Sequence, residues 1–337
     1  MEPEPRQEEM RPQAWRRAWR VARVLFVLGI VAALVYFADP AELWGALRSA
    51  DYLLVLAGLP IMLVAMVCDS LKVFLLMRPH GYRSGWAYVF RTVLIVNFAS
   101  AFLPGTVGGG IITWYRLARP EGQRAQAFTA VSMNTAVKLI VILSLGACGA
   151  AIYSRTAEVK PLLVWVLSAG AALPLVGLML MLWTPLPIRV REWFTAHLEG
   201  RLPERVGAGL RKILESLETY QRARPAVLGA FVMGCVRRLI EVGAILLYVR
   251  AVGVEGIGYL PLLWIACIAE AVGMLPLSPS GFGLAQAGFV GMLVAVGVGP
   301  DKALAANLVS YVVLLIIYMI GGLLLMQEWA LDRRRKR

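Results

Sequence analysis

An all-α, polytopic membrane helix bundle is predicted by three observations. The 337-residue chain is 59% hydrophobic with a mean hydropathy of +0.69, more apolar surface than a soluble domain of this length can hide. Several apolar runs reach the ~20 residues that a membrane-crossing helix needs. The net charge is +13, and its basic residues crowd the flanks of those runs: the N-terminal segment, the Arg189–Arg224 stretch and the tail Arg333-Arg334-Arg335-Lys336-Arg337. That is the pattern of the positive-inside bias, which disfavours nucleic acid as the partner.

Residues 1–13 are polar and rich in Pro and Glu, the composition of a disordered tail. Ala14–Arg23 sets Trp15 and Trp19 at helical spacing among arginines, a cationic lead-in lying at the membrane surface. Apolar spans follow at about Val21–Phe37, Tyr52–Met77, Ala125–Tyr153, Leu162–Trp183, Val227–Val249 and Ala303–Trp329. Between the fourth and fifth, Arg189–Arg224 carries eight Lys/Arg against five Asp/Glu. Within it Val206, Leu210, Ile213, Leu214 and Leu217 recur at helical spacing. Such a helix lies on the lipid surface or packs back onto the protein.

Two further apolar stretches contain helix-breaking runs. The first is Leu103-Pro104-Gly105-Thr106-Val107-Gly108-Gly109-Gly110. The second is Leu275-Pro276-Leu277-Ser278-Pro279-Ser280-Gly281-Phe282-Gly283. Proline removes a backbone donor and glycine admits non-helical conformations, so neither run is expected to stay helical. Bare backbone at membrane depth must be buried in protein or line a wet cavity.

Loop charge decides how these stretches run. If Trp86–Leu103 crossed fully, the cationic 189–224 stretch would fall outside. If it enters and leaves from the cytoplasmic face, the stretch stays inside. The same reasoning makes Leu260–Val298 a hairpin inserted from the outer face. The expected architecture is therefore six full spans plus two oppositely inserted re-entrant hairpins. It divides into inverted repeats at 14–153 and 161–330 within one transmembrane domain, with both termini and the 331–337 tail cytoplasmic. Paired interrupted helices in such repeats point to a transport site.

Ionisable residues at bilayer depth are functional candidates by default. Lys138 falls about fourteen residues into its span, ~20 Å deep at 1.5 Å per residue. Arg237, Arg238 and Glu241 share one face of a later span, and Glu270 precedes the second break. Together these five are expected to line a polar cavity, or to form an ion-pair lattice that only binds helices together. Asp69 and Lys72, three apart near the end of the second span, read as a structural pair. Arginine and lysine suit an anionic head group such as phosphate, aided by helices that begin after each break. Nothing in the sequence resembles an activated nucleophile with its base, so no enzyme activity is expected. His80 and His197 lie far apart, and Cys68, Cys148, Cys235 and Cys267 have no CxxC spacing. No metal, cofactor or disulfide is expected, and the cysteines read as small buried residues.

At the breaks the chain resembles the lysylphosphatidylglycerol synthase/flippase transmembrane family. The likeness is carried by Asn97 through Leu103, Pro104-Gly105-Thr106-Val107-Gly108-Gly109 and Trp114-Tyr115-Arg116-Leu117. It continues in Leu275-Pro276-Leu277-Ser278, Gly281-Phe282-Gly283-Leu284 and Ala287-Gly288-Phe289-Val290. The resemblance implies a multi-pass protein of the prokaryotic plasma membrane that moves phospholipids or polyprenyl-phosphate carriers between leaflets. It adds Asn97 and Arg116 to the substrate-binding candidates, and Pro104, Gly105, Gly108, Gly109, Pro276, Pro279, Gly281 and Gly283 as helix-break positions.

The chain departs from the family pattern at three places. Gly110 and Thr113 stand where an acid and an arginine usually follow the first motif, and Ala285-Gln286 where Arg-Glu follows the second. An acid–arginine pair near Asn134-Thr135 is missing. A charge-depleted membrane partner or scaffold is thus the alternative to a transporter. The aminoacyl-transferase domain of the full synthases is not expected after Trp329. The expected partners are the carried lipid and an anionic lipid surface, and Ser, Gly and Ala on several spans permit close helix contacts either within the chain or with a second copy of it.

Overall fold

The computed structural model describes residues 40–102, 106–153, 204–274 and 283–335, with short pieces between 172 and 193. Among these residues the chain is helical, with no strand. Helices α1 (Pro40–Arg48), α2 (Tyr52–Met77), α3 (Trp86–Phe102), α4 (Thr106–Ala118) and α5 (Arg124–Tyr153) form the first part. Helices α6 (Glu204–Arg222), α7 (Arg224–Ala251), α8 (Tyr259–Gly273), α9 (Leu284–Ala295) and α10 (Pro300–Arg335) form the second. The expected span at Val21–Phe37 and the 1–13 tail lie outside the described residues, as does most of the expected span at Leu162–Trp183.

Among the described residues, three helical stretches are long and apolar enough to cross a membrane: Tyr52–His80, Arg124–Ile152 and Pro300–Leu331. Helix α2 starts where Asp51 caps it, Oδ1 accepting from the amides of Leu53 (2.9 Å) and Leu54 (3.4 Å). It ends in the tight turn Arg78–His80, closed by Gly81 at φ +75. On α10, Val312, Ile316, Met319, Leu323 and Met326 are all exposed. They recur three or four apart, so one apolar face of this helix is left open by the described residues. Exposed Trp329 follows, an interfacial anchor at the end of the stripe.

Helix α7 has 28 residues, about 42 Å at 1.5 Å per residue, yet it is not among the apolar crossing helices. Arg237, Arg238 and Glu241 interrupt its hydropathy midway. Helices α3, α8 and α9 are apolar but short, at 17, 15 and 12 residues. At ~1.5 Å per residue none reaches the ~30 Å of a hydrocarbon core.

Packing follows small residues. Helix α2 lies along α7, with Gly58 directly against the Tyr248 ring. Helix α10 lies on α3, where a Cβ at Gly321 would collide with the Leu94 carbonyl and one at Gly322 with the Phe98 ring. Helix α8 lies on α5 through Gly146 and Gly149, which face Cys267 and Trp264. Without a hydrophobic drive between helices in lipid, such backbone-level contact supplies the van der Waals attraction. One buried cluster joins α5, α7, α8, α9 and α10 around Ile142, Val249, Leu262, Ile265 and Leu293. A second joins α2 to α6 around Leu76, Val89, Leu117, Val137 and Tyr220.

Two sequence expectations change here. The first motif was expected to be non-helical throughout, but α4 begins at Thr106, so Gly108, Gly109 and Gly110 continue a helix. A glycine in a helix costs about 1 kcal/mol relative to alanine. Gly109 offsets this by letting α4 close on α3, since a Cβ there would stand 2.5 Å from Ser100 Oγ. Leu103, Pro104 and Gly105 lie outside the described residues. So do 275–282 with Pro276, Pro279 and Gly281, although α8 has ended at Gly273 and α9 starts only at Leu284. Gly283, at φ +91, turns the chain into α9. The second change concerns Cys148, which is exposed, whereas Cys68 and Cys267 are buried and Cys235 partly so.

The amphipathic stretch resolves toward packing on the protein. In α6, Leu214, Ser216 and Tyr220 are buried, and Tyr220 donates its hydroxyl to the Leu76 carbonyl at 2.9 Å. Burial drives the Tyr220 phenol well above its usual pKa, so that donor keeps its proton at any physiological pH.

Candidate functional site

Four helices bring seven charged side chains together. Asp69 and Lys72 come from α2, Lys138 from α5, Arg237, Arg238 and Glu241 from α7, and Glu270 from α8. Within α7 the spacing dictates the first links. Glu241 lies four residues after Arg237 and three after Arg238, so it reaches both, at 3.2 and 2.9 Å. Within α2, Asp69 and Lys72 meet at 2.8 Å. Tertiary packing adds the rest. Glu270 bridges Lys138 (2.6 Å) and Arg238 (2.6 Å), and Arg237 Nε stands 3.7 Å from Asp69 Oδ1. Arg238 also donates to the Ala266 carbonyl on α8.

The network is graded. The side chains of Lys72 and Arg238 are 2% and 4% exposed, while Lys138 is 33% exposed. The Lys138–Glu270 end is therefore the accessible one. Four cations face three carboxylates, leaving one surplus positive charge. Two guanidinium donors, Arg237 Nε and Arg238 Nε, are buried without a hydrogen-bond partner. So is Asn134 Oδ1, one helical turn before Lys138 on α5. Buried polar atoms are nearly always satisfied, so these, with Glu270 Oε2 in the network itself, mark a place able to receive further polar groups.

All five intramembrane candidates, Lys138, Arg237, Arg238, Glu241 and Glu270, meet here. Asp69 and Lys72 do as well, although their spacing alone suggested a self-contained pair. What joined them to the rest was the close α2–α7 contact, which no local pattern announces. Two other candidates stand elsewhere. Asn97 donates to Met66 Sδ at 3.4 Å. Arg116 makes a two-pronged contact with Glu328 on α10, at 2.9 and 3.0 Å.

That contact belongs to a second cluster that the sequence did not reveal. Glu328 also pairs with Arg91 at 2.9 Å, and Arg91 donates to the Leu324 carbonyl at 3.1 Å. Arg91 and Glu328 each sit near a helix end, where charge carries no signal of its own. Their partnership spans 237 positions of sequence. At two of the departures from the family pattern, hydroxyls turn back onto their own helices: Thr113 bonds the Gly109 carbonyl at 2.7 Å and Thr135 the Val131 carbonyl at 3.1 Å.

An all-helical membrane bundle built on short paired helices and a buried ion network is the class these features define. The chain belongs to the family of the lysylphosphatidylglycerol synthase TM region, which it matches over residues 20–322. It is 22% identical over 309 residues to a UPF0104 membrane protein of Methanothermobacter thermautotrophicus, covering 85% of this chain and 89% of that one. It is also 22% identical over 342 residues to the glycosyltransferase AglD of Haloferax volcanii. That match takes in 93% of this chain but only 55% of AglD, so the chain spans about half the length of that relative. Membership supports a membrane lipid-related function.

Proposed function

We propose that the chain moves the anionic head group of a phospholipid or polyprenyl-phosphate carrier between leaflets, along a route lined by the central network. The observation that carries this is the surplus positive charge beside two unsatisfied buried guanidinium donors. A phosphate oxygen is the acceptor that such donors recognise best. Each carboxylate of the network already accepts from a cation, which suits holding charge more than abstracting protons. One relative is named a glycosyltransferase, which keeps glycosylated lipid carriers within the substrate class.

The proposed architecture is six spans with two re-entrant hairpins, α3–α4 and α8–α9, in inverted repeats, with both termini in the cytoplasm of a prokaryotic cell. Helix length supports it, since α3, α8 and α9 are each too short to cross alone. Packing supports it too. Exchanging α2 with α7, α3 with α8, α4 with α9 and α5 with α10 maps the α3–α10 contact onto α8–α5, and the α2–α7 contact onto itself. The charge-depleted positions favour folding over transport, which keeps a scaffold role as the competitor.

The two separate in proteoliposomes. Fluorescent phosphatidylglycerol should exchange between leaflets faster with the wild-type protein than in empty vesicles. Arg238→Ala combined with Glu270→Gln should return the rate to that of empty vesicles while the protein remains folded. Exchange by the wild type no faster than in empty vesicles would favour the scaffold.

A further inference from the structure

An open cavity lies away from the central network, where α6 covers the turn between α4 and α5. Its volume is about 860 Å³, the size of a small-molecule site and far more than an ion needs. Arg124 and Lys212 line it, one from the start of α5 and one from α6. Neither forms an ion pair with another described residue. Glu215, the carboxylate on the same wall, is taken up by Arg211 at 3.0 Å. The cavity is therefore electropositive. The first turn of α5 adds to this. Ala125 and Gln126 line the cavity, and first-turn amides lack intrahelical acceptors. They stand at the positive end of a 30-residue helix. Gln123, also in the wall, has a buried side-chain oxygen with no partner, an acceptor that a head-group hydroxyl, and not the phosphate, would satisfy.

The remaining walls are aromatic. Trp114 is fixed by its indole N–H donating to the Arg124 carbonyl at 2.7 Å, and it meets Phe128 edge-on at 6.3 Å. Phe128 is at once a wall of the cavity and an exposed apolar surface, one turn into a helix able to cross the membrane. A guest satisfying both parts carries an anionic oxygen cluster at one end and hydrocarbon at the other. A free phosphate would leave the aromatic wall bare, and a zwitterionic head would set a cation against Arg124 and Lys212.

From this geometry we propose that the cavity binds the phosphodiester head of an anionic phospholipid. Its phosphate rests on Arg124, Lys212 and the α5 amino end, and its acyl chain runs along Trp114 and Phe128. Occupancy requires no leaflet exchange, so the site does not depend on the transport reading. It would anchor α6, which packs on α5, to a lipid of one leaflet.

The test is native mass spectrometry of the full-length protein in detergent with dihexanoyl phosphatidylglycerol as the probe. Arg124→Gln with Lys212→Gln should weaken retention at least tenfold with an unchanged melting temperature, both side chains being exposed. Arg119→Gln with Arg222→Gln, which removes equal charge from positions outside the cavity, should leave retention within twofold. Equal loss from both pairs would reduce the site to general electrostatics and overturn the proposal. It would also fall if dihexanoyl phosphatidylcholine were retained as well, or if inorganic phosphate displaced the lipid at equal concentration. Unchanged retention by Arg238→Ala with Glu270→Gln would support a separate site, and its loss would contradict one.

Discussion

The two ion clusters differ in a way that decides what each can do. Both carry one surplus positive charge, and both tie several helices together. The central network joins α2, α5, α7 and α8 through seven side chains, some almost wholly buried. The Arg91–Arg116–Glu328 cluster joins α3, α4 and α10 near the end of α10, its side chains 15–30% exposed. Desolvation makes the difference. A pair near water loses little when broken, because solvent replaces the partner. A buried charge that loses its partner has nothing to replace it, at a cost of about 3–5 kcal/mol. Evolution tolerates such exposure to loss chiefly where the charges are used. On the proposed reading, function belongs to the centre and fastening to the edge.

The largest expected effect is that of Arg238→Ala. It breaks two buried ion pairs at once, leaving Glu270 to Lys138 and Glu241 to Arg237, and should cost about 3–5 kcal/mol, read as a lowered melting temperature in detergent. Asp69→Asn should come next. It leaves Lys72 as a buried lysine with no carboxylate, and restoring neutrality with Lys72→Met in the same chain should recover most of the loss. No recovery would show that Asp69 acts mainly through Arg237. Glu328→Gln should cost only about 1–3 kcal/mol, the worth of hydrogen bonds to charged groups. Its penalty should also shrink in high salt, which screens exposed charge, whereas the Arg238→Ala penalty should not. An Arg238 penalty that fell with salt as steeply as that of Glu328 would erase the distinction between the two clusters.

Much of the fold was legible because membrane helices announce themselves. The predicted Tyr52–Met77 agrees end to end with α2, and Ala125–Tyr153 with α5 to within one position. Helix α10 runs on past Trp329 to Arg335, and the helix at Val227–Val249, α7, is too charged midway to count as an apolar crossing. Apolar length is a local property and needs no partner. The inner half of the site was equally legible, since Lys138, Arg237, Arg238, Glu241 and Glu270 stand out as charges deep in apolar sequence. What escaped were relations across the chain. Asp69 needed α7 beside it before it could be counted in the network. Glu328 needed Arg91 and Arg116, and the Arg124–Lys212 cavity needed α6 folded over the α4–α5 turn. The glycine run after Pro104 misled for the converse reason. Conformational freedom at Gly108, Gly109 and Gly110 reads as a break, yet α4 is helical through them, and the small size of Gly109 lets it close on α3.

The central claim is that the buried network handles an anionic head group and does more than bind helices together. Lys138→Met with Glu270→Gln removes its accessible ion pair while leaving the net charge unchanged, so the fold should survive. The direct measurement is the rate at which this double variant exchanges fluorescent phosphatidylglycerol between leaflets in proteoliposomes. The expected result is a loss of at least tenfold relative to wild type at near-native melting temperature. A wild-type exchange rate in that variant would show the network to be a structural lattice.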